Sequence, residues 1–323
     1  MIEFKSEGKM LIIKSFKKIF LILTCFSFLF FVGCKPTYPS ATIEKQTEEK
    51  IKKEIGYDCK AFLVGKTFYV FTDFKGKINP SLTVSNDIFE SIQNIMLTAT
   101  NVSLSTDADI KFFCVVIVDS SKGVRIVFKQ YVEDVQKWFY GLISRDDFFS
   151  RSLTDISMVQ KNYVFNKSDF KEISMTDFIL EQTIYRLKNN IKTELENLEK
   201  ASKKIEHKKI DKKNKKDNEA KKALTYKYNQ IMYINKKIKD IRFLEIYLTN
   251  ALDSKRYASL PNGKKYFEFN FKSIDKNNFF EIDYKGLAKK LAAVNKEICT
   301  IYKFSKHPRV LVKEEQNVLY SNV

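Results

Sequence analysis

Beyond its first 33 residues the chain keeps about 290, enough for one large domain or two small ones, each with a proper core. Hydrophobic residues make up 44%, with 28 Phe and 16 Tyr, which excludes a disordered chain. Lys and Arg total 57 against 39 Asp and Glu, a net charge of +18 that points to an acidic partner: nucleic acid, anionic glycan or anionic lipid.

In chain order, Lys14, Lys17 and Lys18 precede an apolar run of 14 residues, 19–32, broken only by Thr24 and Ser27. A membrane-spanning helix needs about 20 apolar residues, so this run has the proportions of a secretory signal. It closes on Phe31-Val32-Gly33-Cys34, which resembles the lipobox of bacterial lipoproteins, with Phe31 where leucine is commonest. The resemblance implies cleavage before Cys34 and lipidation of that cysteine. Residues 1–33 carry five lysines against two glutamates, so the mature chain keeps +15. Met10 is an alternative start, since residues 1–9 add nothing to the signal. Of the remaining cysteines, Cys59, Cys114 and Cys299 show no CxxC spacing, and at most one disulfide can form, Cys59 with Cys114 being the candidate.

Residues 34–56 read as a lipidated tether, extended at Pro36 and Pro39 and then charged, with room for a short helix. Residues 57–172 read as the first half of an α+β body. Ala61-Phe62-Leu63-Val64 and Thr67 to Thr72 flank Gly65-Lys66, a two-residue hairpin turn. Asn86 is placed to cap a helix whose Ile88, Ile92, Ile95 and Met96 share one face. The run 110–118 is the most apolar strand, and 124–128 follows it after a turn at Gly123. Val132, Val135, Phe139 and Leu142 mark a second helix. Residues 146–171 lack periodicity and read as irregular connection.

Ser174-Met175-Thr176-Asp177 resembles a capping box and opens the first of two long helices within 173–258. Its stripe is Ile184, Leu187, Ile191, Leu195, Leu198 and Ile205; that of the second is Leu224, Tyr228, Ile231, Ile234, Ile238, Ile241, Leu248 and Leu252. Together they predict an antiparallel helical hairpin inserted between two halves of one α+β body. Residues 259–323 form the second half: a strand at Tyr266 to Phe271, a partner at Phe279 to Tyr284, and a helix carrying Leu287, Leu291, Val294 and Ile298. These strands are expected to complete the first small, mixed or antiparallel sheet. No internal repeat is evident.

Catalytic residues are sparse. The chain's two histidines, His207 and His307, have no nucleophile at catalytic spacing, and no GxxxxGK[ST] or GxGxxG occurs among its 9 glycines. Asp146 and Asp147 are adjacent and suit a solvated turn or helix cap. The composition calls for no enzyme activity, cofactor or metal. The informative cluster is basic: Lys203, Lys204, Lys208, Lys209, Lys212, Lys213, Lys215, Lys216, Lys221 and Lys222, ten lysines against four acidic residues, at the expected hairpin tip. Lys227, Lys236 and Lys237 continue it down the second helix beside Tyr226 and Tyr233. Lysine is a compact, non-directional cation suited to phosphate rather than to reading base edges, so binding of DNA or another polyanion here would be sequence-independent.

The loose lipobox, charged tether and Lys-, Asn-, Ile- and Phe-rich body resemble the surface lipoproteins of Borrelia spirochaetes, and the long lysine-rich helices are similar to the paralogous family twelve of outer-surface lipoproteins. That resemblance implies a lipid-anchored outer-membrane protein exposed at the cell surface, and non-specific DNA binding. An adhesin or immune-evasion module binding a host protein is the alternative; it makes no demand for positive charge.

Overall fold

A computed structural model describes residues 36–78, 85–207, 217–272 and 283–323, and shows an α+β protein with two mixed sheets. Cys34 and the leader lie outside the described residues, as do residues 208–216 and 273–282.

The first sheet has five strands in the order β1 (Cys59–Val64), β2 (Thr67–Asp73), β3 (Phe112–Asp119), β4 (Val124–Tyr131) and β5 (Leu153–Met158). β1 and β2 form the expected hairpin, Val64 opposite Thr67 across Gly65-Lys66. β2 pairs parallel with β3 through the crossover helix α2 (Asn86–Leu104), as parallel neighbours require, and β3–β4 and β4–β5 are antiparallel. β3 is buried along its whole length, consistent with its unbroken apolar run and central place. The capping residue of α2 is Ser85, and Asn86 is its first helical residue.

Two expectations for this half are corrected. Residues 43–55, given room for a short helix within a spacer, do form one, α1 (Ile43–Ile55), but it is part of the body rather than a spacer, with Ile43, Thr47 and Ile51 buried against the sheet. Its charges misled because they occupy the outer face, while Ile43, Thr47 and Ile51 recur at helical spacing. Glu44 and Glu48 accept from the Leu63 and Ala61 amides at 2.9 and 3.0 Å, tying α1 to the unpaired edge of β1. Residues 146–171, read as irregular, contribute helix α4 (Arg145–Arg151) and strand β5, after helix α3 (Val132–Phe139). Asp146 and Asp147 lie in the first turn of α4, where Ser144 accepts from the Asp147 amide at 3.0 Å. The segment after β5 then covers the second face of the sheet, packing Tyr163, Phe165 and Phe170 on Phe62, Tyr69 and Phe71.

The C-terminal strands do not complete this sheet. They build a second, four-stranded one: β6 (Leu252–Ser259), β7 (Lys265–Phe271), β8 (Val310–Glu314) and β9 (Asn317–Ser321). The partner of β7 is β6, which starts at the Leu252 expected to end the second long helix. Of the strand proposed at Phe279 to Tyr284, most lies outside the described residues, Asp283 caps helix α7 (Tyr284–Ile301), and Tyr284 opens it. The pairing order of the second sheet is antiparallel, parallel, antiparallel, with α7 as the crossover. The first four strands show that same order around α2, so two β-hairpins joined by a crossover helix occur twice, a repetition absent from the residue pattern.

The long helices are α5 (Met175–His207) and α6 (Asp217–Asn250). The capping box forms as expected: Ser174 Oγ accepts from the Asp177 amide at 3.1 Å and donates to Asp177 Oδ2 at 2.6 Å. Ile179, Leu180, Ile184, Leu187 and Ile191 of α5, with Ile241, Tyr247 and Leu248 of α6, share a core with α7 and the second sheet. Beyond it the helices keep packing: Arg242 meets Glu199 at 2.6 Å and Asn235 meets Ser202 at 3.5 Å, a falling-against-rising register that makes them antiparallel. Tyr228, placed in the seam by spacing, is 63% exposed instead. Among the described residues no helix is long and apolar enough to cross a membrane.

Candidate polyanion-binding face

The outer face of α6 carries Lys222, Tyr226, Tyr233, Lys236 and Lys237, all exposed and spaced so that they share one side of the helix. Tyr226 and Tyr233 are two turns apart, about 10 Å along the axis, and stand 66% and 60% exposed. Lys237 Nζ lies 4.8 Å from the Tyr233 ring centroid. The hydrogen bond from that lysine to the Tyr233 hydroxyl holds its ammonium above the ordinary lysine pKa. Lys203 and Lys204 are exposed on α5. Among the described residues Lys203, Lys204, Lys222 and Lys236 form no ion pair. Free ammonium groups beside exposed rings can meet phosphates and stack bases without reading a sequence.

The other basic residues expected at this site divide into two groups. Lys208, Lys209, Lys212, Lys213, Lys215 and Lys216 lie outside the described residues, as does the side chain of Lys221. Lys227 is half-buried and already engaged by a neighbour, so it is a weaker candidate than its sequence position suggested.

Sequence reasoning missed a cleft of about 400 Å³ where α5 passes β4, β5 and β6, lined by Lys129, Asp155, Glu181, Tyr185, Lys188 and Lys255. A second hollow of about 330 Å³ adjoins it through Lys129, Asp155 and Glu181. Lys129 and Glu181 pair at 2.6 Å. Burial, then the nearby Lys255, lowers the pKa of Lys188. Long-range contacts between strands and a helix built this cleft, and no local spacing could have flagged it. Both signs of charge line it, so it is a poorer polyanion seat than the face of α6.

Cys59, Cys114 and Cys299 are buried and free, so the disulfide considered for Cys59 and Cys114 is not formed. Burial pushes each thiol up to about 12, which leaves all three protonated and poor nucleophiles at neutral pH. Among the described residues no group of three or more His, Cys, Asp or Glu side chains is placed to hold a metal ion.

No protein-family model, no curated protein and no solved structure matches the chain.

Proposed function

We propose that this is a lipid-anchored surface lipoprotein of the outer membrane that holds DNA, or another polyanion, without sequence preference. The observation that carries the reading is the α6 face, where the exposed Tyr226 and Tyr233 are flanked by the exposed Lys222, Lys236 and Lys237. A mature net charge of +15 supplies long-range attraction, and the lysines of residues 203–222 add local density. The lipobox-like Phe31-Val32-Gly33-Cys34 supports anchoring through Cys34, and the resemblance to Borrelia surface lipoproteins supports an outward-facing position.

A gel-shift assay with two unrelated duplexes and with heparin as competitor tests the proposal. Both duplexes should bind equally, and heparin should displace them. The combined change Lys203→Gln, Lys204→Gln, Lys222→Gln, Lys236→Gln and Lys237→Gln should weaken binding by more than about tenfold, the effect of losing several phosphate contacts. Tyr226→Ala with Tyr233→Ala should weaken single-stranded DNA more than duplex, because only unpaired bases offer free faces for stacking. Undiminished binding by the lysine variant would place the site elsewhere. An absence of binding even at low salt would leave host-protein attachment as the better reading.

A further inference from the structure

The chain's only tryptophan lies in an exposed aromatic patch. Helices α3 and α4 are joined by residues 140–144, and around this turn Phe139, Tyr140, Leu142 and Phe149 are 60%, 78%, 71% and 54% exposed, with Trp138 at 39%. Trp138 stacks on Phe148 at 4.8 Å between centroids, and Phe148 meets Phe149 edge-on at 5.5 Å, so the rings form one connected surface. The Arg145 guanidinium sits 5.5 Å from the Phe149 ring. Large side chains clustered in this way mark an interaction site rather than scattered surface residues.

The position of this patch in the fold selects the occupant. The Val132 amide donates to the Lys111 carbonyl at 2.9 Å, so α3 departs from the end of the sheet where β3 begins. Leu153, which follows α4, pairs with Lys129 at that same end. The N-terminal chain also arrives there: Tyr38 bridges Thr106 and the Ser40 amide donates to Asp107 at 2.6 Å, just ahead of β3. Cys34 is two residues before Pro36, about 7 Å of chain.

We propose that the Trp138–Phe149 patch docks in the lipid–water interface of the membrane that holds the Cys34 lipid. The helical pair α3–α4 and the lipid would then make a two-point attachment at one end of the first sheet. The inference rests on the lipid-anchor reading. Its chemistry fits: Trp138 and Tyr140 pair an apolar ring with a polar tip that suits the headgroup level, Phe139, Leu142 and Phe149 reach the acyl boundary, and Arg145 meets headgroup phosphates. A single acyl chain holds a protein only marginally, and even a doubly acylated anchor leaves the body free to swing; an aromatic contact adds affinity and sets orientation.

The test takes the full protein from the membrane fraction of an expressing bacterium and reconstitutes it into phosphatidylcholine vesicles, with and without dibrominated acyl chains. Trp138 is then the sole tryptophan signal. The expected result is strong quenching of Trp138 by the brominated lipid, protection from aqueous acrylamide, and loss of roughly half the quenching in a Phe139→Ser, Leu142→Ser variant. Vesicle-bound protein whose Trp138 stays unquenched and open to acrylamide overturns the docking proposal alone. Protein absent from the membrane fraction and from vesicles overturns both the docking and the anchor.

Discussion

Arg151 and Asp134 illustrate how a single buried charge can be held in this protein. Asp134 is fully buried and accepts from Arg151 at 3.0 Å, which clamps the end of α4 to the start of α3. Burial raises the Asp134 carboxyl above its ordinary pKa despite the guanidinium, so the folded state takes up its proton more readily than the unfolded chain. Stability from this group therefore declines as pH climbs from the ordinary carboxylate range through the raised folded value. Removing the cation worsens the imbalance: Arg151→Ala should cost about 3 kcal/mol at neutral pH by urea unfolding, and less at pH near 4. Equal loss at both pH values would contradict this. Asp119 has the opposite sign. Burial alone would raise its carboxyl, but the amides of Gly76, Ile78, Ser121 and Lys122 and the Ser121 hydroxyl all donate to it, and its pKa is lowered. Its contribution is present above the ordinary carboxylate range and lost as pH falls through the folded value. Asp119→Asn should cost about 2 kcal/mol, measured as a lower urea midpoint at pH 7 that converges on wild type in acid.

At the scale of elements, legibility followed periodicity. The helices α2, α3, α5, α6 and α7 and the strands β1 to β4 were evident because apolar residues recur at helical or strand spacing along them. β6, with the sequence Leu-Asp-Ser-Lys-Arg-Tyr-Ala-Ser, escaped because its exposed side chains hide any alternation, and its pairing to β7 is fixed by partners rather than by pattern. β5 is an edge strand with one fully buried residue and was hidden for the same reason. The turn between β3 and β4 was legible through Gly123, which holds φ of +70°, and a Cβ there would come within 2.6 Å of the Val159 carbonyl. Gly123→Ala should therefore destabilise by about 2 kcal/mol or more, since both the left-handed backbone and the contact with the segment following β5 resist a side chain. An unchanged thermal midpoint would show that the segment yields.

At the scale of the whole molecule, two α+β units share the chain, and the helices α5 and α6 connect them while carrying the basic face. From Ile191 to His207 the α5 helix runs on for about 24 Å past the last of its residues buried in the second core. A basic helical arm of this kind suits a long, uniformly charged ligand better than a small one. The candidate site was half legible: residue counts exposed the lysine density, and helical spacing puts Tyr226 and Tyr233 on one side with Lys222, Lys236 and Lys237, but that this side faces solvent depended on how α6 is rotated against α5. The aromatic patch was misread: Phe139 and Leu142 were placed on one apolar stripe with Val132 and Val135, and α4 was read as irregular, but only Val132 and Val135 turn inward. Phe139 and Leu142 are exposed, and Leu142 lies beyond the end of α3.

The most direct measurement is the affinity of the protein for duplex DNA across a salt series, by fluorescence anisotropy, in wild type and in the five-lysine glutamine variant. Each phosphate contact contributes about −0.9 to the slope of log affinity against log salt, so wild type should show a slope steeper than about −3 and the variant should lose most of it. A shallow slope shared by both proteins would contradict polyanion binding through this face.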